Sequence, residues 1–172
     1  HFTEAGLHTR AVEAWRQAGQ HSAARSAYVE AIAHVTKGLE VLAGLPETAT
    51  RIEQELALHL LRGTALQTTK GNATPAVEQV YNRARELSQQ VRESPQLLQA
   101  LLGLRGFYQV RGDFHTAREL GEQAVALASR VQDPELVAYA HYSLGHTMFS
   151  LGAFATARAH FEHGVASAAA VS

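Results

Sequence analysis

Two stretches decide how this chain folds: LRGFYQVRGDFHTARELGEQAVALA at residues 104–128 and LGHTMFSLGAFATARAHFEHGVASA at residues 144–168. Laid over one another with an offset of forty residues, they coincide at Leu104/Leu144, Gly112/Gly152, Phe114/Phe154, Thr116/Thr156, Ala117/Ala157, Arg118/Arg158, Glu122/Glu162 and Val125/Val165. The apolar residues within each stretch recur with helical spacing, and a glycine divides each into two segments. A period of this size with two helices per unit is the signature of a helical solenoid, in which each hairpin buries its apolar face against the next.

Working outward, the rest of the chain has the same punctuation. Thr74-Pro75, Ser94-Pro95 and Asp133-Pro134 each pair a capping residue with proline at the first helical position, where its missing N–H is no loss. Pro46, in AGLPET, marks one helix exit and the next start, and Gly112 and Gly152 stand where a left-handed residue ends a helix. The spacing predicts eight helices, at 8–25, 27–43, 49–69, 75–92, 95–110, 114–130, 134–151 and 154–169, and no strand. The first residues, HFTEAGLHTR, lack an initiator methionine and read as part of a longer chain.

Inside the units a grammar of large and small residues repeats. The last unit has His141, Leu144, Gly145 and Met148 on its first helix, then Ala157, Phe161 and Gly164 on its second. The unit before has Leu101, Leu104, Arg105 and Tyr108, then Ala117, Gly121 and Ala124. The first unit has Trp15, Ala18, Gly19 and Ser22, then Ala31, Val35 and Gly38. Small residues let two helix backbones approach, and a large residue of the facing helix fills the gap. This grammar resembles the tetratricopeptide repeat (TPR). It departs in having about forty residues per repeat rather than about 34, in Arg105 where a small residue belongs, and in Gly121 where an aromatic belongs. The expected fold is all-α: a TPR-like α-solenoid, a right-handed superhelix of about four helix-turn-helix repeats at 8–43, 48–92, 95–131 and 134–170, within one domain spanning 1–172.

The wording of TKGNATPAVEQVYNRAREL and ARAHFEHG, and the order of the segments around them, is similar to the helical-repeat region of large bacterial signalling proteins. Those carry a class III adenylate/guanylate cyclase or kinase module, then a STAND-type AAA ATPase module, then a TPR-like tail. The resemblance implies a non-catalytic regulatory and protein-interaction scaffold for signal transduction. Its partner would be the protein's own ATPase module or another signalling protein, and the chemistry would lie elsewhere in the parent chain. It also offers an alternative, since STAND activators of related domain order are thought to hold a small inducer inside such a superhelix. On that reading the chain senses a metabolite.

The composition narrows the possible chemistry. Among 172 residues, 46% are hydrophobic but only 7% aromatic, there is no cysteine, and the net charge is −1. Disulfides, thiolate catalysis and cysteine-based zinc sites are excluded. The balanced charge gives no electrostatic reason to expect nucleic acid or an anionic membrane as partner. With no long apolar span and no signal peptide, a cytoplasmic protein is expected.

GTALQTTKGNAT at 63–74 has the residues of a phosphate loop but not their order, since Lys70 precedes Gly71 rather than following a glycine. Its position matches that of an inter-helix turn. The only aspartates, Asp113 and Asp133, stand at helix starts, where capping accounts for them, so no cyclase metal pair is present. His160 and His163 share a helical face that His141 could oppose, but three or four convergent ligands are needed for zinc, and packing already accounts for His141. No catalytic residue, cofactor or metal ligand is assigned.

The remaining candidate is an inner, concave face formed by first-helix residues. It comprises Leu61 and Thr68 from the second unit, Gln99, Leu102 and Gln109 from the third, and Tyr139, Tyr142, His146 and Phe149 from the last. Aromatics beside polar groups suit a peptide or small ligand. Packing against a further repeat would account for the same aromatics equally well. That face offers leucine, glutamine, threonine and tyrosine rather than the lysine/asparagine/arginine set that clamps a C-terminal carboxylate, so a clamp is not expected.

Overall fold

In the computed structural model the described residues are 2–90 and 95–170, with side chains from residue 6 onward. They form eight helices: α1 (Phe2–Ala24), α2 (Tyr28–Ala43), α3 (Ala49–Lys70), α4 (Pro75–Gln90), α5 (Pro95–Val110), α6 (Phe114–Val131), α7 (Pro134–Ser150) and α8 (Phe154–Ala169). No strand occurs among the described residues. The main departure from the sequence expectation is α1, which starts six residues early. HFTEAGL contains no proline, and its one glycine meets no crowding, so nothing stops the helix there.

The joints follow the expected chemistry at two of the four cap positions. Asp133 accepts hydrogen bonds from the main-chain N–H groups of Glu135 and Leu136, and Asp113 from that of Thr116. Thr74 requires a correction. α4 does begin at Pro75, but the Thr74 hydroxyl is buried without a partner. Its main-chain carbonyl instead accepts from Val77 and Glu78. Ser94 and the expected end of α4 at residue 92 lie outside the described residues. Gly71, Gly112 and Gly152 close α3, α5 and α7 with φ of 82°, 79° and 76°, a conformation L side chains rarely adopt. GTALQTTKGNAT is accordingly the last two turns of α3 followed by a turn. The hydroxyls of Thr64, Thr68 and Thr69 donate back to the carbonyls of Leu60, Thr64 and Ala65.

The chain divides into two compact units, residues 1–92 and 93–172. In the first, α1 packs on α2, α2 on α3 and α3 on α4. Val12, Val35, Leu42 and Leu58 form a buried cluster. In the second, α5 packs on α6, α6 on α7 and α7 on α8, with Leu144, Met148 and Ala157 at one cluster's centre.

The same contact recurs inside three of the four hairpins. A Cβ placed on Gly19 would lie 3.0 Å from Val35, on Gly63 2.7 Å from the Tyr81 ring, and on Gly145 2.7 Å from the Phe161 ring. Each glycine on a first helix is the recess that seats the large residue of the second. In the third hairpin the two sizes are exchanged, with Arg105 at the recess and Gly121 opposite. Gly121 uses its missing side chain to admit Leu144 of α7, whose Cδ1 lies 3.0 Å from a Cβ placed there. Arg105 is freed to turn toward α7. The two departures from the repeat grammar are therefore one compensated change.

Candidate interaction site

The second unit exposes five large hydrophobic side chains within α7 and α8. Tyr139, Tyr142, Phe149 and Phe154 are 57–62% accessible and Val165 71%. They line two shallow grooves that meet at Phe161. One, of about 570 Å3, runs between Phe149, Phe154, Ala157 and Val165. The other, of about 770 Å3, is lined by Tyr139, Tyr142, Gly164 and Ala168, with Glu135 among its lining residues. Rings touch around this ridge, with Phe149 on Phe154 at 5.4 Å and Tyr142 near Phe161 at 6.0 Å. The sequence repeat explains why the surface is apolar. Forty residues earlier, Ala117, Gly121 and Val125 present the corresponding surface of α6, and there Leu144 of α7 covers it.

Beside this surface a polar ladder joins α5 to α7. Arg105 Nη1 donates to the Ser143 carbonyl and to Thr147 Oγ1, both at 3.2 Å. Thr147 Oγ1 donates to Gln109 Oε1 at 2.9 Å, Gln109 Nε2 to Ser150 Oγ at 2.8 Å, and Ser150 Oγ to the His146 carbonyl at 3.1 Å. Burial pushes the Arg105 pKa down, opposed by Tyr139 and Tyr142.

The nine residues expected on a concave face divide. Tyr139, Tyr142, His146, Phe149 and Gln99 are exposed in the second unit, and Thr68 is exposed in the first. Three expectations are corrected. Leu102 is buried, at 8% accessibility. Leu61 packs against the Val12–Val35–Leu42–Leu58 cluster, its Cδ2 lying 3.1 Å from a Cβ placed on Gly19. Gln109 is half-buried, with both ends of its amide engaged in the ladder. Leucines go where apolar area is removed from water. A glutamine facing serine and threonine is held by its hydrogen bonds. The bonds of Arg105 to Ser143 and Thr147 are what sequence reasoning missed. Its exchange with Gly121 is the available signal.

His141, His160 and His163 do come together. His141 Nδ1 and His160 Nδ1 lie 3.0 Å apart, and the His141 and His163 rings stack at 5.2 Å. Burial, followed by the neighbouring imidazoles, lowers the pKa of His141. His160 is lowered by burial and His163, against Glu122. His163 Nδ1 bonds the Ala159 carbonyl at 2.8 Å, and stacked rings do not converge their lone pairs. No group of three or more His, Asp or Glu among the described residues is placed to hold a metal ion.

The first unit holds a buried charge cluster that the sequence did not suggest. Glu55 is buried and accepts a hydrogen bond from Arg83 Nε at 2.9 Å, with Arg83 Nη2 at 2.8 Å and Arg51 Nη2 at 3.7 Å as ion-pair neighbours. His59 approaches the same carboxylate at 3.8 Å, but burial, aided by Arg62 and Arg83, pushes its pKa down to about 4. It is therefore neutral at pH 7 and makes no ion pair there. No helix among the described residues is long and apolar enough to cross a membrane.

Comparison with known proteins agrees with this architecture. The family model for the tetratricopeptide repeat matches residues 106–170. A Rap protein solved in complex with competence and sporulation factor is similar, with a TM-score of 0.73 and 17% identity over 89% of this chain. The chain spans 41% of that protein's length. MamA protein aligns with a TM-score of 0.52 and 17% identity over 91% of both chains. BtubC (BKLC) from P. vanneervenii aligns with a TM-score of 0.52 and 14% identity, over 97% of this chain and 90% of its own. Among curated proteins no sequence matches the chain. The fold is an α-solenoid of TPR-like repeats.

Proposed function

We propose that the chain is a non-catalytic protein-interaction scaffold whose second unit docks a protein segment on the α7/α8 surface. The observation that carries this reading is the cluster of exposed Tyr139, Tyr142, Phe149 and Phe154 around two apolar grooves. A cluster of this kind exceeds the scattered single apolar residues of ordinary surfaces, and aromatics dominate binding energy where a partner covers them. The Rap protein, which shares the fold, was solved with a bound factor. In the same reading the chain is the cytoplasmic regulatory part of a bacterial signalling protein. Its cyclase and AAA/STAND ATPase modules lie elsewhere in the parent chain, and the ATPase module is the partner.

Calorimetric titration of that ATPase module tests the proposal. Binding is expected, and Tyr142→Ala or Phe149→Ala should weaken it at least tenfold, as for an anchor worth about 2 kcal/mol. Absence of association at high micromolar concentrations overturns it. The full open reading frame tests the parent context, which falls if no cyclase or ATPase is encoded. A second reading, a metabolite sensor, is favoured by the groove of about 770 Å3, a volume typical of small-ligand sites. A ligand at 100 times its Kd would add about 2.7 kcal/mol of stability, and a broad metabolite screen without a thermal shift removes this reading.

A further inference from the structure

The outer face of α8 stands in the same repeat register as two faces that this chain covers for itself. In the first unit Leu58 of α3 sinks onto Gly38 of α2, its Cδ1 and Cδ2 lying 3.1 and 3.3 Å from a Cβ placed there. In the second, Leu144 of α7 sinks onto Gly121 of α6, with its Cδ1 at 3.0 Å. Both leucines come from the first helix of the next hairpin, and neither is more than 2% accessible. In α8 the counterpart of Gly38 is Gly164, as the triplets Ala31, Val35, Gly38 and Ala157, Phe161, Gly164 show. The match holds in space. The Cβ of Trp15 lies 3.3 Å from a Cβ placed on Gly38, and that of His141, its counterpart in the repeat, 3.7 Å from one placed on Gly164. The atoms nearest Gly164 all belong to α7 of its own hairpin, and it lines the larger groove. Exposure follows the same register. On α6, Phe114 and Val125 are half-buried and Ala128 is buried, whereas forty residues later Phe154, Val165 and Ala168 are exposed. The arginine side chain between them goes from 42% accessible at Arg118 to 81% at Arg158. The α8 face is thus built like a covered face and lacks the helix that covers it.

Resting on the docking role proposed above, we infer that the α8 face seats an amphipathic α-helix of the partner protein, packed on α8 as α3 packs on α2 and α7 on α6, with a leucine or similar aliphatic residue entering the larger groove at Gly164. The walls of that groove are apolar, formed by Tyr139, Tyr142, Phe161, Val165 and Ala168. In the smaller groove the charged groups, Arg158 and Glu162, already bond one another at 2.7 Å. An extended segment would press unpaired main-chain N–H and C=O groups against these walls. A helix arrives with its main chain already paired and offers only side chains. A second aliphatic residue belongs one turn further along the docked helix. On α7, Met148 follows Leu144 by four residues and shares with it the cluster against which Val125 of α6 packs.

A display library of random peptides of about 16 residues, long enough for about four helical turns, is selected on the full chain. Bound sequences should carry Leu, Ile or Met in pairs three or four residues apart and no internal proline. Remade in acetylated, amidated form, they should gain helical circular dichroism on binding. A proline placed at mid-length, or alanine in place of the central leucine, should weaken each at least tenfold. On the protein, Val165→Glu and Ala168→Glu alter exposed groove residues, and each should weaken binding at least tenfold. Ala159→Glu, exposed on α8 outside both grooves, should leave it unchanged. Should a variant fail to fold, the proline and helicity readouts on the unaltered protein still decide. Binders that tolerate the proline or stay non-helical overturn the helix and leave the docking surface standing. Helical binders indifferent to both glutamates overturn the seat on α8. Self-association of the full chain in sedimentation equilibrium, abolished by Val165→Glu, gives the face to a second copy and overturns the partner helix. A library with no binders overturns the docking role as well.

Discussion

Replacing Gly63 by alanine sets two effects of opposite sign against each other. In the interior of a helix, alanine is favoured over glycine by about 1 kcal/mol, so a glycine in open space should be improved by the change. At Gly63 the new methyl would lie 2.7 Å from Cζ of Tyr81 and 3.0 Å from Cε1 and Cε2, directly over the ring. Carbon atoms rest at about 3.5–4.0 Å, so the ring must withdraw by about 1 Å. It has little freedom to do so, since Tyr81 is 4% accessible and its hydroxyl donates to Gln67 Oε1 at 2.7 Å. Overpacking of this kind costs about 1–3 kcal/mol, and we expect it to exceed the propensity gain, for a net loss of about 1–2 kcal/mol. Urea unfolding followed by circular dichroism measures it, and the melting temperature should fall by about 2–8 °C. In a Tyr81→Leu background the obstacle is gone, and Gly63→Ala should become neutral or stabilising. A Gly63→Ala protein more stable than the parent by about 1 kcal/mol would refute the claim that this glycine is the recess for the facing helix. The repeat logic drawn from Gly19 and Gly145 would be refuted with it.

Two further outcomes follow from buried groups. His59 has its pKa depressed from about 6.5 to about 4, so the unfolded chain binds the proton first as pH falls. Its contribution is complete above pH 6.5, is lost progressively down to about pH 4, and amounts to at most about 3 kcal/mol. Urea midpoints between pH 7 and pH 4 should fall less in His59→Gln than in the parent, and parallel curves would show that His59 does not titrate in this window. Ala157, 2% accessible in the Leu144–Met148 cluster, should lose about 1–3 kcal/mol as Ala157→Leu, read from thermal melts. A neutral result would mean that the α7/α8 register is wrong.

The chain's own order of residues determined the eight helices, their joints and their pairing. Prolines and glycines at the joints act on the backbone beside them. The forty-residue repeat of small residues acts through neighbouring hairpins, so a single sequence displays both. Ala117 and Ala157 are buried as that repeat required. Tyr139, Tyr142 and Phe149 were legible as outward-facing because helical spacing fixes which side of α7 they occupy.

Tertiary packing alone decided the rest. Leu61 and Leu102 share the spacing of an open face, yet neighbouring helices cover them, and no count along a single helix reports what lies across from it. Glu55, Arg83 and His59 lie up to 28 residues apart, and only the packing of α3 on α4 makes them one buried charge cluster. Arg105 and Gly121 each look like a defect when read singly. Their relation depends on volume shared between two helices, and the direction in which the guanidinium then turns is set by the donors and acceptors that α7 brings to meet it.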